Sequence, residues 1–121
     1  MPDPTPTEIC RVIAAGRYDL SNEAAVQAGI DQLLVDAFGR EAVRREHRLS
    51  PFDRPDFMIG GVAVEVKVRG ARPALIWKQL KRYAAYEAVS AVVLVTNRAM
   101  GLPASIDGKP AWYVSLGRAW L

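Results

Sequence analysis

Apolar and polar residues follow one another along this chain with a period that changes several times, and each change marks an element. Over residues 7–15, Ile9, Val12 and Ile13 fall at helical spacing, and Thr5 or Thr7 stands where a cap is needed. Pro2, Pro4 and Pro6 make residues 1–6 a short extended arm ahead of that helix. The pattern breaks at residues 16–20. Ser21 or Asn22 then caps a longer helix reaching about Phe38, with Ala25, Val26, Ile30, Leu33, Leu34 and Ala37 turned inward and Gly39 as its stop.

Residues 42–49 are strand-like but carry Arg44, Arg45, Glu46, His47 and Arg48, a composition that an edge strand tolerates. Residues 50–55, with two prolines and an aspartate, read as a loop. Asp56 opens a short strand to Ile59, and Gly60-Gly61 predicts a hairpin turn. The clearest strand is 62–68. Val62, Val64, Val66 and Val68 alternate with Ala63, Glu65 and Lys67, so the valines share one face and Glu65 and Lys67 the other. Pro73 suits the first turn of a helix continuing to Glu87, with Leu75, Ile76, Leu80, Tyr83, Ala84 and Tyr86 as its apolar stripe. The near-continuous apolar run 91–96 predicts a strand covered on both faces. A loop over 100–110 and a last strand over 111–116 complete the chain. Three successive strands predict an antiparallel meander, and the helix after the third permits a parallel crossover. The expected fold is α/β, a mixed sheet whose core runs in αβββαβ order, flanked by helices.

A length of 121 residues is enough for one domain with one core. Half of the residues are hydrophobic and 24% are charged, so a folded domain and not a disordered chain is expected. One cysteine, Cys10, excludes an internal disulfide and a cysteine-rich zinc site; a half-buried thiol in a reduced, cytoplasmic setting fits it. His47, the sole histidine, is far from Cys10 in sequence, and nothing links the two as nucleophile and base. No apolar run approaches the ~20 residues of a membrane helix, and the opening residues do not read as a signal peptide.

Candidate chemistry gathers around Pro55-Asp56, followed nine positions later by Glu65-Val66-Lys67. Hydrolysis of a phosphodiester needs a hard cation to polarise the phosphoryl group and to acidify a water. Magnesium takes oxygen ligands, often one or two carboxylates with water and phosphate completing the shell. Asp56 and Glu65, on strands joined by the Gly60-Gly61 turn, are placed to supply two carboxylates, and the carbonyl of Val66 is a further candidate oxygen. Lys67 points to the face of Glu65, about 7 Å further along the strand, where an ammonium would orient a nucleophilic water or offset phosphate charge.

These residues resemble the P-D…(D/E)-x-K signature of the restriction-endonuclease-like, or PD-(D/E)xK, nuclease superfamily. Two further features strengthen the resemblance. Glu23 opens the long helix, where that superfamily often places another glutamate, and Gln79-Leu80-Lys81-Arg82-Tyr83 is similar to the Q-x-x-x-Y motif of its RecB-like members. The resemblance spans residues 21–97. It implies a restriction-endonuclease-like core and a magnesium-dependent DNA nuclease, with manganese able to substitute. It also implies Asp56, Glu65 and Glu23 as metal ligands, Lys67 as the catalytic cation, and Gln79 and Tyr83 supporting site or substrate. The chain has little beyond that core, so a separate target-recognition domain is not expected.

Each of these residues also has a plainer reading. Glu65 and Lys67 two apart on a strand ordinarily form a solvated pair. Glu23 suits a helix N-terminus for its dipole alone. Gln79 and Tyr83 could be an exposed amide and a core aromatic, and His47 a surface residue. The net charge is only +3, so the placement of the cations matters more than their sum. One group is Arg40, Arg44, Arg45, Arg48 and Arg54; the other is Lys67, Arg69, Arg72, Lys78, Lys81 and Arg82. Arg45, Arg69, Arg72, Lys78, Lys81 and Arg82 are the candidates for phosphate contact. Trp77 and Trp112 read as core or interface, and Trp120 as a cover for a partner surface. A homodimer acting on both strands of a duplex or on a four-way junction, in the manner of a Holliday-junction resolvase, fits so small a domain. A non-catalytic nucleic-acid-binding module, or a nuclease subunit of a larger complex, is the alternative.

Overall fold

The computed structural model describes residues 2–68 and 70–117; Arg69 and Trp120 lie outside the described residues. Among the described residues, three helices pack on a six-stranded mixed sheet. The elements are α1 (Pro6–Ala14), α2 (Glu23–Phe38), a single 3-10 turn (Arg40–Ala42), β1 (Val43–Arg45), β2 (Phe57–Ile59), β3 (Val62–Lys67), α3 (Pro73–Ala84), β4 (Ala91–Thr96), β5 (Ser105–Ile106) and β6 (Lys109–Ser115). The sheet order is β1-β2-β3-β4-β6-β5. β1, β2 and β3 form the antiparallel meander, β3–β4 and β4–β6 are parallel, and β5–β6 is an antiparallel hairpin.

The alternation in β3 explains how the layers form. Val62, Val64, Val66 and Val68 join Ile9, Ile13, Val26, Ile30 and Leu34 of α1 and α2 in one core. Ala63 faces a second core with Ile76, Leu80, Tyr83 and Ala84 of α3. β4 divides in the same way, Val93 and Val95 against Val92 and Leu94, and all six of its residues are buried. A central strand with helices on both faces has no polar side, which accounts for its unbroken apolar run.

Local chemistry sets the ends of the elements. The Thr5 hydroxyl accepts from the Glu8 N–H and caps α1, so Pro6 belongs to the helix and not to the arm. Asn22 caps α2 by accepting from the Ala25 N–H, and Gly39, at φ 90°, ends it. Of the stripe expected on α2, Val26, Ile30 and Leu34 are buried, whereas Ala37 is exposed. β1 stops at Arg45, shorter than the charge-rich run 42–49, because Glu46 takes φ 48°, which an extended strand does not accommodate. It is the edge strand, as its charges require. α3 ends at Ala84 and not at Glu87, since Ala85 and Tyr86 close tight turns onto the carbonyls of Arg82 and Tyr83. Leu75 falls outside its stripe and is 57% exposed. The loop 100–110 contains one strand that was not expected. Asp107 (φ 50°) and Gly108 (φ 79°) form the two-residue turn that pairs β5 with β6. Among the described residues, no helix is long and apolar enough to cross a membrane.

Candidate active site

β3 outruns β2, and the candidate site lies where it does. The last β2 residue in register is Phe57, opposite Val64. Past that point, alternate β3 N–H groups on the β2 side need other acceptors. The Val66 N–H donates to Asp56 Oδ2 at 2.7 Å, and the Val68 N–H donates to Glu23 Oε1 at 3.1 Å. Two carboxylates thus stand side by side in place of the missing strand, one from Asp56, which lies just ahead of β2 and does not open it, and one from the first turn of α2. Continuing the register one place sets Asp56 across from Glu65. Val66, named from sequence for its carbonyl, is tied into the site by its N–H.

A second chain of contacts comes from the α3 side. Gln79 Nε2 donates to the Tyr83 hydroxyl at 2.9 Å, and that hydroxyl donates to Glu65 Oε1 at 2.9 Å. The other oxygen of Glu65, Oε2, takes the Lys67 ammonium at 3.0 Å. Gln79 and Tyr83 are one helical turn apart and so reach Glu65 together. Tyr83 and Glu65 are buried, and Lys67 keeps about a quarter of its side chain in solvent. The structure therefore brings Asp56, Glu65, Lys67, Glu23, Gln79 and Tyr83 to one end of β3.

The electrostatics follow from this crowding. Burial, and then the charge of Glu65, push the Asp56 carboxyl up to about 7, against the Val66 N–H and Lys67, which favour its ionised form. Burial raises Glu65 as well, although Lys67 and the Tyr83 hydroxyl oppose the rise. Burial would lower Lys67, but Glu65, Asp56 and Glu23 outweigh it and hold the ammonium above its ordinary value. The Tyr83 phenol is raised by burial and by Glu65, so it stays a donor. Crowded, partly desolvated carboxylates beside one cation are a common signature of a functional site.

Donor chemistry decides whether this cluster suits a divalent cation. Among the described residues, no three His, Cys, Asp or Glu side chains converge as a ready metal cluster. Magnesium does not require three; two carboxylates with waters and phosphate suffice. Asp56 and Glu65 fit that need, and a cation would relieve the repulsion that lifts Asp56. Glu23 already accepts from the Val68 N–H through Oε1. Compared with models of known protein families, with curated proteins and with solved structures, the chain matches none of them.

Sequence reasoning missed three features. Gln27 Nε2 donates to Asp56 Oδ1 at 3.3 Å; its position four residues after Glu23, on the same face of α2, was a usable sign. Asp53, 6% exposed, accepts from Arg82 Nε at 2.9 Å and from the Tyr86 hydroxyl at 2.7 Å. Its carboxyl, which burial would raise, is held low by those two donors. A cleft of about 700 Å³ lies beyond the ends of β4 and β6, lined by Leu20, Asn97, Arg98, Met100, Tyr113 and Ser115. Asn97 follows Thr96, the register partner of Lys67, and Leu20 is three residues before Glu23, so the cleft opens at the same end of the sheet.

The basic residues divide by what already holds them. Arg40 is paired with Asp31, Arg82 with Asp53, and the Arg45 guanidinium stacks 5.6 Å from the centre of the Phe57 ring. Arg72, Lys78 and Lys81 are exposed on or beside α3. His47 is half-buried at the end of the β1 segment, Trp77 packs against the α3 core, and Trp112 is 36% exposed on β6.

Proposed function

We propose that this protein is a magnesium-dependent DNA nuclease with a restriction-endonuclease-like core. The observation that carries this reading is the convergence of six side chains from α2, β2, β3 and α3 on the end of one strand. Asp56, Glu65 and Lys67 are marked in the sequence by their chemistry and Glu23, Gln79 and Tyr83 by the resemblance, and hydrogen bonds or ion pairs tie each of them to β3 directly or through another of the six. Asp56 and Glu65 would hold the cation, with Glu23 acting directly or through water. When bound, the cation would polarise the phosphoryl group and acidify a water.

The chain's own residues supply the remainder. Glu65 is fixed from both sides, by Tyr83 and by Lys67, so its orientation does not depend on substrate. Gln79 fixes Tyr83 in turn. Lys67, kept protonated, presents N–H donors to a phosphate at the solvent edge of the site and offsets charge that develops on its oxygens. Arg72, Lys78 and Lys81 offer sequence-independent contacts to the DNA backbone. As a homodimer, the domain would place one site on each strand of a duplex or junction.

A second reading has an observation behind it. Among the described residues, no fully buried side-chain nitrogen or oxygen lacks a hydrogen-bond partner, so the buried part of the cluster holds together through its own contacts. The same fold could therefore bind DNA without cutting it, or cut only within a larger assembly. Labelled linear duplex, single-stranded and four-way-junction DNA, incubated with magnesium, manganese or chelator, separates the readings. Metal-dependent cutting that falls by roughly a hundredfold or more in Lys67→Ala and in Asp56→Ala is the expected result. Binding without cutting under either metal moves the function to the module, and cutting that begins only when a partner protein is added moves it to the subunit. A monomer by sedimentation that still cuts both strands at low concentration would remove the dimer.

A further inference from the structure

The most exposed large apolar side chain among the described residues is Phe52, at 91%. It stands on the loop leading into Asp56, four residues ahead of it, and so within about 14 Å of it along the backbone. Exposure of this degree usually belongs to a loose loop tip. This loop is built otherwise. The Ser50 hydroxyl accepts from the N–H groups of Phe52 and Asp53, both at 3.1 Å. The Asp53 carbonyl accepts from the Leu49 N–H at 2.8 Å and from the Ser50 N–H at 3.3 Å. The Asp53 carboxylate is locked onto Arg82 and Tyr86, next to the Tyr83 that orients Glu65. Pro51 and Pro55 stiffen both flanks. The result is a fixed turn that buries its aspartate and holds its aromatic ring out into water.

The surroundings of the ring indicate what it meets. Arg48 and Arg54 are exposed on either side of it in sequence, Arg54 4.0 Å from the Glu46 carboxylate, whereas Arg82 beneath the turn is committed to Asp53. Cations around an aromatic face suit a nucleic-acid strand, whose phosphates meet the cations while a base stacks on the ring. A base inside a fully paired duplex has no free face to offer. An unpaired one, in a single-stranded tail, a flap or the branch point of a junction, does.

We infer that Phe52 is a stacking platform for an unpaired DNA base next to the cluster at the end of β3, and so a determinant of substrate structure. This rests on the nuclease reading for its choice of DNA, but its test does not depend on cleavage. Binding of three labelled probes is measured in chelator: a blunt duplex, the same duplex with a single-stranded tail, and a four-way junction. Phe52→Ala is expected to lose roughly five- to a hundredfold in affinity for the tailed probe. Its affinity for the blunt duplex should stay within about twofold, and Phe52→Trp should restore tailed binding. The ring is solvent-exposed, so the substitution leaves the core intact. Equal affinity of wild type and Phe52→Ala for the tailed probe overturns the inference. So does an equal loss on tailed and blunt DNA. A change in sedimentation of Phe52→Ala without DNA also overturns it, since the ring would then cover a protein surface. Preferential tailed binding through Phe52 in a chain that cuts nothing would keep this inference while removing the nuclease reading. A chain that cuts DNA but is indifferent at Phe52 would do the reverse.

Discussion

A carboxyl group that burial and a neighbouring carboxylate push up to about 7 holds its proton more tightly in the folded chain than in the unfolded one. The sign of the consequence for Asp56 is fixed by that difference. Below about pH 4 the group is protonated in both states and contributes nothing to the balance. As pH rises from about 4 to 7, the unfolded chain releases the proton first, so folding stability falls, by up to a few kcal/mol on the order-of-magnitude scale. Above about 7 the loss is complete. Asp56→Asn removes the slope while leaving an oxygen to accept from the Val66 N–H. Metal-free Asp56→Asn is therefore expected to melt several degrees above wild type at pH 8 and close to it at pH 4. If Asp56 and Glu65 hold magnesium, the cation should raise the wild-type Tm at pH 8 and leave the Asp56→Asn Tm nearly unmoved. A wild-type Tm indifferent to both pH and magnesium would show that the carboxylates are not a cation site.

At the scale of elements, what could be read in advance depended on whether a contact was local. Glu65 and Lys67 share a face because a strand alternates, and the Gly60-Gly61 turn sets Asp56 across from Glu65; both are short-range rules. Gln79 and Tyr83 follow from the helical repeat. Asp53 was not legible, since its partners Arg82 and Tyr86 lie 29 and 33 positions away, and nothing local marks it as buried. Nor was the carboxylate-for-strand substitution at Val66 and Val68, which arises only because β2 is shorter than β3. The Asp107-Gly108 turn was a local signal of the β5–β6 hairpin, overlooked inside a loop-like composition. Gly29 shows the same division. By helix propensity, Gly29→Ala in the middle of α2 should gain about 1 kcal/mol. An added Cβ, however, would lie 2.9 Å from Cδ1 of Tyr18, whose hydroxyl is anchored 2.7 Å from the Ile13 carbonyl. The ring cannot swing aside without breaking that bond, and overpacking costs about 1–3 kcal/mol. Steric cost exceeds propensity, so Gly29→Ala is expected to lower the denaturant midpoint, and Gly29→Ala with Tyr18→Phe to recover part of it. A midpoint raised by Gly29→Ala alone would mean that α1 and α2 separate easily.

Over the whole molecule the question is how a net charge of +3 could hold a polyanion. The answer depends on which cations are uncommitted. Arg40, Arg45 and Arg82 are occupied by Asp31, the Phe57 ring and Asp53, and so serve the fold first. Lys78 and Lys81 are exposed on α3, the helix that carries Gln79 and Tyr83 toward the site on its other side. DNA that reaches Lys67 would therefore run past a helix whose outer surface is cationic and whose inner surface orients Glu65. Each phosphate so neutralised releases counterions, and the logarithm of the binding constant falls with the logarithm of salt by a little under one unit per contact. Lys78→Ala with Lys81→Ala should thus reduce the salt slope by about two. The double variant should weaken blunt duplex, tailed duplex and junction to the same degree, since backbone contacts carry no structural preference. Its Tm should stay near wild type, because neither ammonium is bonded to a core group. Phe52→Ala is expected to behave in the opposite manner, changing the ranking of substrates and leaving the slope. If the lysine variant changes the ranking and leaves the slope, α3 contacts bases or a protein partner, and the DNA backbone lies on another face.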